Sequence, residues 1–313
     1  MLSRTADSLF WTARYLERAD FLARILDSAL RLSSMPAAKT GPNTWESVIA
    51  SAGVAEAFYA KRQTATERTV RDFLAFDPDN PSSIYSCVAT ARANGRAVRT
   101  ALTTEMWECL NDSWHELQEL ETSRMGGREA FTRFLEWVER LTLVFDGSAR
   151  RTMLRNDAYW FLRLGGAMER ADNTARILDV KYHLLLPERE PVGGGLDHFQ
   201  WTTILREVSA LTAYHWVYRD RVKPWLVADL LILNPQMPRS LASCYEVTGR
   251  HLDLLGDAYG AAGASQRLAH RIRSQLGASR IEDIFQSGLH EFITEFLTDN
   301  AKVAGAIAEQ YLV

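Results

Sequence analysis

A short set of acidic and basic residues lies along one face of the first long helix that the sequence predicts. Glu17, Asp20, Arg24 and Asp27 fall within about 80° of one another when residues are placed at about 100° per step. We call this set the charged stripe. Leucine, alanine and phenylalanine side chains flank it on both sides, so most of the helix is apolar and is expected to be buried. The sequence therefore predicts ionised groups that face protein or an enclosed cleft.

The charged stripe occurs a second time further along the chain. Residues 169–179 (ERADNTARILD) match residues 17–27 (ERADFLARILD) at nine of eleven positions, at an offset of 152. The second stripe consists of Glu169, Asp172, Arg176 and Asp179. In each copy the second acid and the arginine have the i,i+4 spacing, acid first, that favours an ion pair within a helix.

The two glutamates lack such a partner, because no basic residue follows Glu17 or Glu169 at three or four positions. A buried charge without a partner costs several kcal/mol. Their counter-ions must therefore come from another helix, and the other copy of the stripe is a plausible source. Arg18 and Arg170 point about 100° away from the glutamates that they follow, so we expect them to serve different neighbours.

Three interpretations of the paired stripes follow from these residues. The stripes form an arginine–carboxylate network that fixes how two halves of the protein dock. Alternatively, they line a pocket for a cationic or phosphorylated ligand, or they hold a divalent ion, the one cofactor that these residues suggest. The spacing of the residues does not choose between these three.

Other segments repeat in the same order as the stripe, which indicates an internal duplication. Trp45 matches Trp201, and residues 72–87 (DFLAFDPDNPSSIYSC) match residues 229–244 (DLLILNPQMPRSLASC) at an offset of 157. Glycine and proline are few and separate long stretches of good helix formers. We predict an all-α helical bundle of two tandemly duplicated halves, residues 1–152 and 153–313, related by a pseudo-twofold axis in one compact unit.

Breaks between helices are predicted where prolines, glycines and small polar residues cluster. In the matched segments, Pro81 and Pro238 are expected in the first turn of a helix, where the missing N–H of proline is tolerated. The predicted breaks cover residues 33–44, 76–82, 124–127, 187–195 and 233–239.

A second group of polar residues occurs in the first half alone. Arg92, Arg96 and Arg99 have the i, i+4, i+7 spacing of one helix face, and the sequence Glu105-Met106-Trp107-Glu108 follows on what we predict to be the same helix. Such a face is a candidate phosphate or carboxylate clamp, with Glu105 and Trp107 beside it, although a solvated charged surface has the same pattern. The corresponding positions of the second half are Gly249, Asp253 and Gly256.

Composition and charge exclude several classes of protein. With 36 basic and 39 acidic residues, the formal net charge is −3, which argues against a main role in binding nucleic acid or an anionic membrane. Cys87, Cys109 and Cys244 have no metal-binding or disulfide spacing. We find no sequence motif for a phosphate loop, a zinc protease or a serine hydrolase, and no run of about 18 apolar residues. We expect a cytoplasmic protein with no membrane-spanning helix and no metal site of recognised type.

The repeated ERAD helices, the NPSS and MPRS helix starts and the EMWE segment together resemble the alpha-E family, bacterial all-helical proteins named for a Glu-Arg motif. The resemblance spans nearly the whole chain. It maps the Glu-Arg motif of the family onto Glu17-Arg18 and onto Glu169-Arg170. It also likens the segment around Arg96, Arg99 and residues 105–107 to the second polar motif of the family. Because the second half has no EMWE counterpart, a site built on that segment is expected once.

The resemblance implies partners more firmly than it implies an activity. Proteins of this family are encoded beside, or fused to, circularly permuted ATP-grasp ligases, and transglutaminase-like proteases and proteasome-like peptidases are frequent neighbours. It thus implies a helical accessory or co-catalytic protein that acts with an ATP-grasp-type ligase in bacterial peptide synthesis or modification. Two alternatives remain: an amide-forming or amide-transferring enzyme that uses an acidic and arginine-rich cleft, and a purely structural scaffold.

Overall fold

The computed structural model describes residues 1–33, 44–62, 64–122, 127–184 and 195–312. In these residues it has fifteen α-helices and no β-strand, as predicted for an all-α chain. The helices before residue 153 are α1 (Ser3–Ser33), α2 (Thr44–Ser51), α3 (Ala55–Lys61), α4 (Glu67–Arg71), α5 (Ile84–Ala97), α6 (Thr104–Thr122) and α7 (Arg128–Thr152).

The second part of the chain contains the other eight helices and ends in a π-helical turn at residues 308–312. The eight helices are α8 (Asp157–Leu184), α9 (Gly195–Glu207), α10 (Leu211–Tyr218), α11 (Pro224–Ile232), α12 (Leu241–Tyr259), α13 (Ala264–Ala278), α14 (Ile281–Ser287) and α15 (Leu289–Ile307).

Helices α1 and α8, which carry the two charged stripes, pack against each other at the centre of the molecule. Both are apolar around most of their circumference, which is the pattern of a helix surrounded by other helices. Their backbones approach each other closely at Gly165 on α8, where a Cβ atom would lie 2.1 Å from the carbonyl oxygen of Phe10. Gly165 therefore permits a contact that no larger residue allows.

Each central helix has its own set of flanking helices. Helices α5 and α7 pack on α1, and α6 packs on both of them. Helices α12 and α15 pack on α8 in the same way, and α13 packs on both of those. Helices α2 and α9, which carry the buried Trp45 and Trp201, each contact both α1 and α8. The flanking helices cover the apolar sides of the central pair, so the charged stripes are enclosed where they begin, at Glu17 and Glu169.

The matched helix starts differ in one detail from the prediction. Helices α5 and α12 begin after the serines Ser83 and Ser240, whose side chains accept hydrogen bonds from the backbone N–H groups of Ser86 and Ser243 at 3.1 and 3.0 Å. Pro81 and Pro238 precede these caps by two residues, so their placement in the first helical turn was wrong. Serine is favoured as the residue that caps the helix because its hydroxyl accepts a hydrogen bond from an otherwise unpaired backbone N–H group.

The predicted breaks at residues 76–82 and 233–239 separate helices as expected, because α5 begins at Ile84 and α12 at Leu241. The breaks predicted at residues 33–44, 124–127 and 187–195 lie almost wholly outside the described residues. In the described part of the chain, no helix combines the length and the apolar character that crossing a bilayer requires.

Candidate functional site

The two Glu-Arg motifs exchange partners across the interface of α1 and α8. Arg18 Nε donates to Glu169 Oε1 at 2.6 Å, and Arg170 donates to both carboxylate oxygens of Glu17 at 3.0 and 2.5 Å. The prediction that each glutamate finds its counter-ion on another helix is thus confirmed. Arg18 and Arg170 serve neighbours other than the glutamates that they follow, as expected, because each long side chain reaches across the interface to the glutamate of the other motif.

A second arginine binds each glutamate from a different position. Arg14 Nε donates to Glu169 Oε2 at 2.7 Å, and a guanidinium N–H of Arg239 donates to Glu17 Oε1 at 2.8 Å. Glu17 is 8% and Glu169 is 3% exposed, so both carboxylates are removed from bulk water. A buried carboxylate with paired, charge-assisted hydrogen bonds is held firmly in one position. We call these two glutamates and their four arginines the Glu-Arg lock.

The arginines determine the protonation state of the lock. Burial alone would raise the pKa of Glu17, but Arg170 and Arg239 outweigh it, and the pKa falls to about 2. Burial also opposes ionisation of Glu169, and there Arg14 and Arg18 outweigh it and lower the pKa. Both glutamates are therefore permanent anions at neutral pH, which suits an ion pair and not a proton donor.

Asp20 extends the lock towards α7 and α12. It accepts hydrogen bonds from Arg24 on its own helix at 2.8 and 3.1 Å, from Arg239 at 2.6 Å and from the Thr142 hydroxyl on α7 at 3.1 Å. The i,i+4 pair predicted for Asp20 and Arg24 is confirmed. Its carboxylate joins three helical segments, so Asp20 fixes α7 and the start of α12 against α1.

The remaining acids of the two stripes lie outside the lock. Asp172 pairs with Arg176 at 2.6 Å, as its spacing predicts, but both side chains are partly exposed. Asp27 pairs with Arg31 at 2.7 Å, and Asp179 contacts His290 on α15 at 2.5 Å. The stripes are thus buried in their first turns and reach the surface further along.

Sequence reasoning missed three members of this network: Arg14, Thr142 and Arg239. Arg14 carries a detectable signal, since it lies one helical turn before Arg18 and shares its face. Arg239 occupies the position of Ser82 in the second matched segment, and Ser82 itself accepts a hydrogen bond from Arg18 at 3.4 Å. The helix starts that follow the matched prolines therefore both reach the Glu-Arg motifs. Thr142 has no comparable signal in the sequence.

The candidate anion clamp is not built as predicted. Helix α5 ends at Ala97, Arg99 lies in a separate 3₁₀ turn, and a new helix, α6, begins at Thr104. The chain turns here so that α6 packs back against α5, with Leu110 beside Gly95, which a single continuous helix would prevent. Arg92, Arg96 and Arg99 therefore do not share one helix with Glu105 and Trp107.

The structure instead places two of these arginines on an aromatic ring. The guanidinium carbons of Arg92 and Arg99 lie 6.0 and 5.2 Å from the centre of the Trp107 ring, a cation–π arrangement. Arg92 also donates to Asn111 Oδ1 at 3.0 Å. Arg96 and Glu105 are exposed. This geometry joins α5 to α6, which is a structural role for Trp107.

A cleft of about 410 Å³ lies where the stripe of α1 reaches the surface, between α1, α7, α9 and α10. Arg24 lies at its inner end, where it donates to the Ser209 hydroxyl at 2.8 Å and approaches Glu139 at 3.4 Å. Burial raises the pKa of Glu139, and it raises the pKa of Glu207 to about 8, against a hydrogen bond from Ser28 that lowers it. We call this the Glu207 cleft. One of its carboxyl groups is protonated at neutral pH.

The thiols are poor candidates for nucleophiles. Cys87 and Cys244 are fully enclosed beside the lock, and burial raises the pKa of each to about 12. Burial also raises the pKa of Cys109, to about 11. Since the thiolate is the reactive form, these groups react slowly at neutral pH. Among the described residues, no group of three or more His, Cys, Asp or Glu side chains is arranged to hold a metal ion.

Comparison with known proteins gives one match. A family model, Alpha-E, described as a predicted alpha-helical domain with a conserved ER motif, matches residues 1–312. No curated protein and no solved structure matches the chain. The Glu-Arg pairs at Glu17-Arg18 and Glu169-Arg170 lie within the matched residues, and in the structure these pairs bind each other. With a match that covers all but the last residue, the chain belongs to the Alpha-E family.

Proposed function

We propose that this Alpha-E protein is a helical accessory or co-catalytic partner of an ATP-grasp-type ligase, in a bacterial system for peptide synthesis or modification. The family resemblance suggests the ligase, and transglutaminase-like proteases or proteasome-like peptidases are further candidates for the same system. The reciprocal binding of the two Glu-Arg motifs is the observation that supports an accessory role. It engages the motif charges inside the protein, where they hold helices together.

The chemistry of the lock supports this role. Glu17 and Glu169 are ionised, enclosed and each bound by two arginines. A group that transfers protons needs a pKa near the working pH, and a nucleophile needs access to its substrate. The glutamates of the lock have neither property, so we assign them a positioning role: they keep α1 and α8 in one register and thereby shape the surfaces around them.

We also propose that the two halves, residues 1–152 and 153–313, arose by duplication. The arrangement of α5, α6 and α7 around α1 and of α12, α13 and α15 around α8 supports this. So do the exchanged Glu-Arg pairs, which a pseudo-twofold axis between α1 and α8 would relate. In this proposal the lock is the contact that joins the duplicated halves into one unit.

Copurification tests the proposed partnership. The full-length protein is expressed together with the ATP-grasp-type ligase encoded nearest to its gene, and the wild type is expected to retain the ligase through affinity purification and gel filtration. The variant Glu17→Gln/Glu169→Gln is expected to lose the complex, with Glu129→Gln on the exposed face of α7 as the control. If a normally folded double variant keeps both the complex and full ligase activity, the role assigned to the lock is wrong.

The Glu207 cleft favours a second candidate function, an amide-forming or amide-transferring enzyme. A protonated carboxyl in a cleft of this size, which Arg24 also lines, is a typical general acid. In that case the purified protein alone turns over ATP or a peptide. Loss of this turnover in Glu207→Gln, with turnover retained in Glu108→Gln, would establish that the protein is an enzyme that uses this cleft.

A purely structural scaffold is the third possibility. In that case Glu17→Gln and Glu169→Gln lower the stability of the protein. The activity of the partner ligase then falls only in proportion to the fraction of this protein that is unfolded.

A further inference from the structure

A second cleft, of about 650 Å³, lies between α9 and α10 and is lined by two regular rows of side chains. The row from α9 is His198, Thr202 and Arg206, and the row from α10 and its end is Leu211, His215 and Arg219. Each row advances by four residues per step, which places its members on one helix face. The two rows therefore face each other across what we call the α9–α10 cleft.

The charge in the α9–α10 cleft is strongly positive. Arg206, Arg219 and Arg221 line it and are exposed, and among the described residues no ion pair involves Arg206 or Arg219. The one carboxylate in the described lining, Asp220, is already engaged, because it accepts hydrogen bonds from Lys223 Nζ and from the backbone N–H of Arg221. The protein as a whole has a net charge of −3, so this local excess of positive charge is not a general property of its surface.

The end of the cleft is a fixed loop. Arg219 adopts a left-handed backbone conformation with φ of +50°, which ends α10 and turns the chain back towards α9. The buried Tyr214 then holds the loop: its hydroxyl donates to the carbonyl of Arg221 at 2.6 Å and accepts from the N–H of Lys223 at 3.0 Å. The carbonyl of Val222 lies 3.4 Å from His198 Nδ1 on α9. The arginines of this loop are thus placed by a buried anchor.

We infer that the α9–α10 cleft binds a small phosphorylated molecule. Guanidinium groups donate paired hydrogen bonds that fit phosphate oxygens. The volume is within the range of metabolite sites. The inference does not depend on the proposed partnership with a ligase.

Calorimetric titration of the full-length protein tests this inference. The probes are inorganic pyrophosphate and glucose 6-phosphate, with citrate as a multivalent anion that carries no phosphate. We expect both phosphate probes to bind with Kd below about 1 mM at low salt and citrate to bind at least 10-fold more weakly. We also expect the affinity to fall as salt is added, because the contacts are ionic.

Variants place the binding in the cleft. Arg206→Gln is expected to weaken pyrophosphate at least 10-fold, and so is Arg219→Asn, since asparagine tolerates the left-handed backbone. Arg267→Gln, an exposed arginine on α13, is the matched control and is expected to bind as the wild type does. Circular dichroism melts confirm that each variant is folded. Absent binding, citrate binding as tight as pyrophosphate, or unchanged affinity in folded Arg206→Gln would each overturn the inference.

Discussion

At the residue scale, the two members of each Glu-Arg motif bind the other motif and not each other. Glu17 does not bind the arginine beside it in sequence but the arginine of the other copy, Arg170. The same holds for Glu169 and Arg18. A motif of two adjacent residues is therefore best understood as half of a contact, and neither half is satisfied without the other.

Glu17→Gln is expected to lower the free energy of unfolding by about 3 kcal/mol. The substitution leaves Arg170 without its anion in an enclosed site and leaves Arg239 with Asp20 alone, and breaking a buried pair in this way typically costs ~3–5 kcal/mol. Glu129→Gln removes a partner from an exposed pair with Arg133 and is expected to change stability by less than about 0.5 kcal/mol. Urea unfolding followed by circular dichroism measures both. Equal effects of the two substitutions would contradict the role of the lock.

Glu207 is expected to make the protein less stable as the pH rises. Burial raises its pKa from 4.5 to about 8, so between these values the folded protein holds a proton that the unfolded chain releases. The contribution of Glu207 to the free energy of unfolding is fully present below pH 4.5 and declines as the pH rises to about 8. Because the side chain is only half-buried, we expect a loss of about 2 kcal/mol rather than the larger value for full burial.

Urea unfolding at pH 5, 6.5 and 8.5 checks this expectation against Glu207→Gln, which cannot titrate. Groups other than Glu207 contribute equally to both proteins. The difference between wild type and variant in how the free energy of unfolding changes with pH therefore isolates the contribution of this carboxyl. A wild type whose stability follows the same pH dependence as the variant would show that the Glu207 carboxyl ionises normally.

The partners of the lock could be predicted from the sequence only in part. The absence of a basic residue one turn after Glu17 and Glu169 was enough to place their counter-ions on another helix. Arg239 and Thr142 could not be found this way, because the register in which α7 and the start of α12 meet α1 depends on packing between distant segments. The pairs Asp20–Arg24 and Asp172–Arg176 were predictable because helix geometry alone brings their members together.

At the scale of elements, the contact between α1 and α8 depends on one residue without a side chain. Gly165→Ala is expected to destabilise the protein by about 3 kcal/mol or more, because the new methyl group would meet the Phe10 carbonyl oxygen at 2.1 Å and must push two backbones apart. Loss of that contact also stretches the hydrogen bonds of the lock. Thermal and urea unfolding measure the effect.

Gly166→Ala is the matched control for Gly165→Ala. Its Cβ would find Ala13 at 3.9 Å, an ordinary contact, and alanine is a better helix former than glycine by about 0.5–1 kcal/mol. We expect the control to be neutral or slightly stabilising. A Gly165→Ala protein as stable as Gly166→Ala would mean that α1 and α8 are not tightly apposed at this point.

The elements themselves were largely predictable, and the errors concern how helices begin and end. The all-α class followed from composition and periodicity, which are properties of each segment alone. The continuous helix predicted through Arg92 and Trp107 was wrong because α6 packs back against α5, which requires a turn. Helix periodicity within one segment carries no information about such packing between segments. Pro81 and Pro238 marked the right boundaries, but the capping serines define the first helical residues.

At the scale of the whole molecule, the lock lies between the two parts of the chain and not within either one. Arg14 and Arg18 come from α1, whereas their anion, Glu169, comes from α8. Glu17 on α1 likewise depends on Arg170 and Arg239 from the second part. The apolar faces of α1 and α8 also cover each other. Each half therefore leaves buried charges and a large apolar surface unpaired when it is alone.

Fragments that divide the chain between residues 152 and 153 are expected not to fold by themselves. Residues 1–152 would expose one apolar side of α1, and residues 153–313 would expose one apolar side of α8. The loss of this burial is large beside the ~5–15 kcal/mol by which typical domains are stable. We expect no cooperative thermal transition in either fragment and recovery of one when the two are mixed. Mixing with a fragment that carries Glu17→Gln is expected to recover much less. If residues 1–152 alone melt cooperatively near the temperature of the full chain, the halves are independent domains and the lock is only a contact between them.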